Sequence, residues 1–130
     1  MVNVKSVGEI YQCKICGNIV EVKNIGGGEL VCCGQPMNLL EEKTAEQEGK
    51  ERHIPIITIE EDKIKVKVGA VPHPMEKDHY IELIELIQNG EIIASHQLTP
   101  GEEPKAEFCP DSSEGIKARA LCNIHELWTS

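Results

Sequence analysis

A chain of 130 residues holds one ordinary domain, or one small module followed by one compact domain, and is too short for a large multidomain enzyme. It is 40% apolar and 27% charged, the composition of a globular protein, and no apolar run approaches the ~20 residues of a spanning helix, so no membrane partner is expected. The net charge of −9, without any cluster of Lys and Arg, argues against nucleic acid as a partner. The opening residues, Met1 to Ile10, contain neither a continuous apolar segment nor a small-residue cleavage site, so the expected compartment is the cytoplasm. Phe108, Tyr11, Tyr80 and Trp128 are the only aromatic residues, and a core built on Ile, Val and Leu favours strands.

Residues 1–38 carry four of the six cysteines, as Cys13-x-x-Cys16 and the adjacent pair Cys32-Cys33. A segment below about 40 residues usually needs a metal, disulfides or a partner chain to fold, and this spacing reads as a metal site in a reducing compartment. Neighbouring side chains on a regular strand point to opposite faces, so Cys32 and Cys33 share one ion only where the chain bends, which Gly34 permits. Four thiolates suit tetrahedral zinc or iron, and for the bare pattern a structural zinc knuckle is the commoner case. Residues 39–52 are dense in charge with no apolar periodicity after Leu40, and read as an exposed linker.

From His53 to residue 130 the pattern is one of short strands. Residues 54–59 and 64–68 are β-branched segments around Glu60-Glu61-Asp62, a hairpin. Residues 81–87 are ambiguous, since Ile81, Ile84 and Ile87 fit a helical stripe. The Asn89-Gly90 that follows is a type I′ hairpin signal leading into residues 91–98, so a strand is expected. Further strands are expected over 106–108 and 118–122. The fold class is therefore mainly β, with an antiparallel sandwich over residues 53–130.

Four of the five histidines fall in three segments: His53 before Pro55, His73 and His79 within Val71-Pro-His-Pro-Met-Glu-Lys-Asp-His79, and His125 in Cys122-x-x-His125. Pro72 and Pro74 stiffen the loop of His73, and the last pair has ligand spacing. Cys109, His96, Met37, Met75 and Glu76 read as non-ligands, with Cys109 a partly buried free thiol and Trp128 packed near the chain's end.

Tyr11-Gln-Cys-Lys-Ile-Cys-Gly-Asn-Ile-Val-Glu-Val22 with Glu29-Leu-Val-Cys-Cys-Gly-Gln-Pro-Met37 resembles the desulforedoxin module. The histidine segments match, in order and spacing, the domain shared by desulfoferrodoxins and neelaredoxins, so the resemblance covers nearly the whole chain. It implies two iron ions. One is a tetrahedral iron on Cys13, Cys16, Cys32 and Cys33. The other is a square-pyramidal iron with His53, His73, His79 and His125 in the plane and Cys122 axial. It further implies an immunoglobulin-like sandwich, a homodimer through the small module, reduction of superoxide to hydrogen peroxide, and a rubredoxin-like electron donor.

Glu51-Arg52 stands where the family carries Glu-Lys. Glu51 resembles the residue that occupies the open iron position in the ferric state. Arg52 keeps the charge that attracts superoxide, but a guanidinium stays protonated and does not suit a proton donor. Asp78, where relatives often have lysine, and Ala120, where an acidic residue is frequent, are further departures. With a Debye length of ~8 Å at physiological salt, Lys50, Arg52 and Lys77 outweigh distant carboxylates in steering an anion. Two other functions fit the residues: a non-catalytic electron carrier or redox sensor working through the four-cysteine iron, and a zinc or metal-storage module.

Overall fold

The structure, a computed structural model, describes residues 3–44, 46 and 52–130. Among these no α-helix occurs, and twelve short strands form antiparallel sheets. The chain divides into two compact units, Met1–Glu41 and Glu42–Ser130.

In the first unit β1 (Ile10–Gln12) lies between β2 (Ile19–Glu21) and β5 (Asn38–Leu39), and β3 (Val31–Cys32) pairs with β4 (Gln35–Pro36). Its core is small: Val4, Tyr11, Cys13, Val22 and Met37, with Leu30, Cys32 and Leu39 packed against them. Met37 is thus a packing residue, as expected.

The second unit is the expected antiparallel sandwich. One sheet has the order β10-β7-β6, from β10 (Lys105–Phe108), β7 (Lys63–Val68) and β6 (Pro55–Glu60). The other has the order β12-β11-β8-β9, from β12 (Glu126–Thr129), β11 (Ile116–Cys122), β8 (Ile81–Gln88) and β9 (Glu91–Gln97). Alternation places Ile64, Val66 and Val68 of β7 inward, in register with Ala106 and Phe108 of β10, against Ile84 and Leu86 of β8 and Ala118 and Ala120 of β11. The 81–87 segment is a strand. The three-residue step from Ile81 to Ile84 is accounted for by a register shift between Leu121 and Cys122 that pairs Cys122 with Ile81 rather than Glu82. The bulge turns Ile81 into the core beside Cys122 and leaves Glu82 half-buried, its carboxyl raised by that burial.

One feature departs from the sequence reading, and a second lay outside it. Cys109 is exposed, because β10 ends at Phe108, its last inward residue, before Pro110. Glu85 and Arg119, directly opposite on β8 and β11, are both buried and joined by an ion pair, with Arg119 Nε 3.1 Å from Glu85 Oε1 and Arg119 Nη1 3.6 Å from Glu42. The segment after Glu41 is laid along β12: Lys43 N donates to the Leu127 carbonyl at 2.9 Å, and Thr129 N donates to the Lys43 carbonyl at 2.9 Å.

Candidate metal centres

The four cysteines of the first unit meet because two tight turns face each other. After β1, Gly17 N donates to the Cys13 carbonyl and Cys13 N to the Asn18 carbonyl, both at 2.9 Å, closing a loop that turns Cys16 back. Cys33 and Gly34 form the two-residue turn of the β3–β4 hairpin, with φ of 53° and 74°. Positive φ at both central positions is the type I′ geometry, and this is the bend that adjacent cysteine ligands require. The four sulfurs lie within 4.8 Å of one another, with Cys16 Sγ 3.5 Å and Cys33 Sγ 4.0 Å from Cys32 Sγ. Cys16 N donates to Cys13 Sγ at 3.5 Å, and such donation to the charged form lowers the Cys13 thiol to about 6. In this crowded cluster, hydrogen bonding of its thiol to Cys16 and Cys13 raises Cys32, and hydrogen bonding to Cys16, Cys13 and Cys32 pushes Cys33 up to about 12. A divalent or trivalent cation relieves that crowding of sulfurs.

In the second unit the ligand atoms of His53, His79, Cys122 and His125 also lie within 4.8 Å of one another. Cys122 is at the end of β11 and fully buried, His53 precedes β6, and His79 precedes β8. His53 Nε2 is 3.1 Å from His125 Nδ1, and the His125 backbone N–H donates to Cys122 Sγ at 3.4 Å. His73 joins them. Its ring centroid is 4.6 Å from that of His53 and 4.8 Å from that of His79, and its Nε2 is 3.5 Å from Cys122 Sγ. The Nδ1 of His73 is 2.7 Å from the Pro74 carbonyl, so Nδ1–H is the donor there and the Nε2 lone pair faces the sulfur. All five predicted donors of this site are thus brought together. His53, His73 and Cys122 are buried, and His79 and His125 are partly exposed.

Backbone contacts draw these distant segments close. Gly69 N donates to the Ile54 carbonyl at 3.1 Å, and His73 N to the Val68 carbonyl at 3.2 Å. Gly69 has φ +89°, and a Cβ there would stand 2.4 Å from the Val71 carbonyl oxygen and 2.7 Å from that of Arg52. Only glycine lets the segment leading to His73 run so near the one leading to His53. Asn123 clamps the other side: its Oδ1 accepts from Tyr80 N at 2.9 Å and its Nδ2 donates to the Asp78 carbonyl at 3.0 Å, bracketing His79. Trp128 stacks on His53, ring centroids 4.5 Å apart and 12° from parallel. Neither Asn123 nor this stack was singled out from sequence. Asn123 lies inside Cys122-x-x-His125, and Trp128 is the chain's single tryptophan, three residues beyond. Arg52 is exposed beside His53, whereas Lys50 and Glu51 lie outside the described residues.

Four thiolates suit tetrahedral iron or zinc. Neutral imidazoles with one thiolate suit a redox-active first-row metal, iron among them, so both donor sets fit the implied ions. Comparison with known proteins is consistent with this chemistry. Residues 5–40 match the family profile described as Desulfoferrodoxin, N-terminal domain, and residues 44–130 the one described as Desulfoferrodoxin. A desulfoferrodoxin homolog of Archaeoglobus fulgidus is 57% identical over 124 residues, covering 95% of this chain and 97% of its own. A superoxide reductase of Pyrococcus horikoshii is 36% identical over 95 residues, covering 60% of this chain and 83% of its own. The crystal structure of the superoxide reductase from Treponema pallidum superposes with a TM-score of 0.73 at 23% identity, over 94% of this chain and 96% of that one, a likeness of fold. With both halves matched in order and more than half of the residues shared with a full-length relative, the chain belongs to the desulfoferrodoxin family.

Proposed function

We propose that this chain reduces superoxide to hydrogen peroxide at an iron held by His53, His73, His79, His125 and Cys122. A second iron is held by Cys13, Cys16, Cys32 and Cys33. The observation that carries this reading is the meeting of four imidazoles and one buried thiol from three separated segments. The ligand atoms of His53, His79, Cys122 and His125 lie within 4.8 Å of one another and His73 Nε2 is 3.5 Å from Cys122 Sγ, so one ion can be shared by all five.

Ferrous iron in that donor set supplies the electron by which superoxide, with two protons, becomes hydrogen peroxide. The residues do the rest. The Cys122 thiolate, buried and accepting the His125 N–H, is the electron-rich donor, and the partly exposed His79 and His125 form the rim over which a small anion enters. Arg52 places a positive charge next to His53, and steering of this kind changes on-rates by about ten- to a thousand-fold. Glu51, outside the described residues, is assigned as a carboxylate that would bind the iron in its oxidised resting state.

An external one-electron donor of rubredoxin type restores the reduced site, and the protein acts in the cytoplasm; no helix among the described residues is long and apolar enough to cross a membrane. Residues 1–38 are the four-cysteine module, 39–52 the linker and 53–130 the catalytic domain. The module leaves Val7, Ile15, Ile25 and Val31 exposed, which supports a homodimer formed through it.

Pulse radiolysis tests the reading. Iron-loaded protein should react with superoxide in a second-order step, with a thiolate-to-iron absorption band appearing as the site is oxidised, and Arg52→Glu should slow that step about ten-fold with both irons retained. A colourless protein, or one inert to superoxide, would refute the assignment.

A further inference from the structure

We infer that Lys43 is a positioning residue for the histidine–cysteine site, holding His125 directly and His53 through Trp128. The inference rests on the reading of those two histidines as iron ligands. Lys43 belongs by sequence to a charged linker, and nothing in its surroundings along the chain marks it. In the fold its main chain is fixed to β12 by two hydrogen bonds of 2.9 Å, one to the Leu127 carbonyl and one from Thr129 N. Its Nζ then reaches back to donate to the His125 carbonyl at 3.1 Å.

That carbonyl accepts a second bond, from Trp128 Nε1 at 2.9 Å. The arrangement has a reason in the backbone. Glu126, which follows, has φ +69°, a strained conformation that a non-glycine residue rarely adopts. Two donors on the preceding carbonyl, one of them charged, stabilise the turn that presents the His125 ring to Cys122 and His53. The Glu126 carboxylate lies 3.7 Å from Lys43 Nζ and anchors it further.

The same ammonium sits 5.4 Å from the centroid of the Trp128 ring, a cation–π distance, and the ring lies flat against His53. One side chain therefore fixes the carbonyl of one ligand and the ring that backs another. Partners of this kind set ligand orientation, and their loss typically weakens metal affinity about 10- to 100-fold.

The test compares Lys43→Met, which keeps the apolar stem, with Lys43→Arg, which restores charge and donor, and with Trp128→Phe, which keeps the stack and loses the Nε1–H. Iron retention is followed by chelator competition and by the visible spectrum, with the four-cysteine iron of the same molecule as internal reference. Lys43→Met should weaken retention at the histidine–cysteine site about ten-fold and shift its absorption band, leaving the four-cysteine band unmoved, and Lys43→Arg should recover most of the loss. Trp128→Phe should also weaken retention, and the combined Lys43→Met, Trp128→Phe variant should lose less than the two effects multiplied, since both donors share one carbonyl. Wild-type retention and an unshifted band in Lys43→Met would overturn the inference alone, as would equal loss in Lys43→Met and Lys43→Arg together with a lowered melting temperature of the sandwich. Failure of the unaltered protein to take up a second iron would overturn the ligand assignment and this inference with it.

Discussion

The two metal-bearing units reach convergence of donors by opposite routes. In the first, all four sulfurs come from two tight turns within residues 13–33, and the core beneath them is only Val4, Tyr11, Cys13, Val22 and Met37, one of which is itself a ligand. In the second, the donors are spread from His53 to His125 and are assembled by a twelve-residue core spanning both sheets. The metal therefore makes the first fold, whereas in the second the fold makes the site.

The sharpest way to break this contrast is to remove the metals. Chelation should unfold residues 3–40, since binding to structural four-ligand sites amounts to about 10–16 kcal/mol of folding free energy, while the sandwich keeps its strands. Hydrogen exchange should show lost protection in β1, β2 and β5 and retained protection in β8 and β11. Loss of protection in both units would mean that the sandwich, too, depends on its ion. A smaller effect isolates what the sandwich holds without metal. Glu85→Ala takes from the buried Arg119 its buried carboxylate partner, and should cost about 3–5 kcal/mol in denaturant unfolding of the second unit, with the first unaffected.

The contrast also governs what could be read before the fold was known. Strands β6 and β7 follow from β-branched segments around Glu60-Glu61-Asp62, β8 and β9 from the Asn89-Gly90 turn between them, and the cysteine and histidine segments stood out by spacing, because these signals are local. The bulge opposite Cys122 was hidden, since the spacing of Ile81, Ile84 and Ile87 is compatible with either periodicity until the partner strand is known. Glu85 and Arg119 lie on the strand face away from the sandwich core, where charged residues ordinarily meet water, and only tertiary packing buries them. Lys43 lies in a polar run whose value depends on a β12 that the sequence reading did not include. Cys109 was expected to be partly buried as free cysteines usually are, yet alternation places the residue after the inward Phe108 outward.

Proton release distinguishes the module further. In the metal-free protein at pH 7 Cys13, lowered to about 6, is already a thiolate, whereas Cys33, at about 12, and Cys32, raised, keep their protons. Metal binding requires the thiolate forms, so loading must expel at least those two protons, and apparent affinity should climb at least about a hundred-fold per unit as pH rises between 7 and 8. Calorimetric titration in buffers of different ionisation enthalpy counts the protons directly. A count near zero would show that the free thiols are already ionised and that crowding of the sulfurs does not hold the module back.

The last test sets one glycine of each unit against the other. Both have left-handed φ, +74° at Gly34 and +89° at Gly69, so alanine at either adds a strain of about 1–2 kcal/mol. At Gly34 the new Cβ meets nothing within 4 Å, and the type I′ turn should persist with both cysteines in place. At Gly69 it meets two carbonyl oxygens at 2.4 and 2.7 Å, which are backbone and cannot swing aside. Gly69→Ala should therefore cost about 1–2 kcal/mol more than Gly34→Ala, since backbone must shift as well. The movement separates the segment before His53 from the one before His73, so iron at the histidine–cysteine site should be lost more readily in Gly69→Ala than in Gly34→Ala. Equal melting shifts and equal iron contents in the two variants would show that the loops of the sandwich tolerate the displacement, and that its ligands are gathered by the ion as those of the module are.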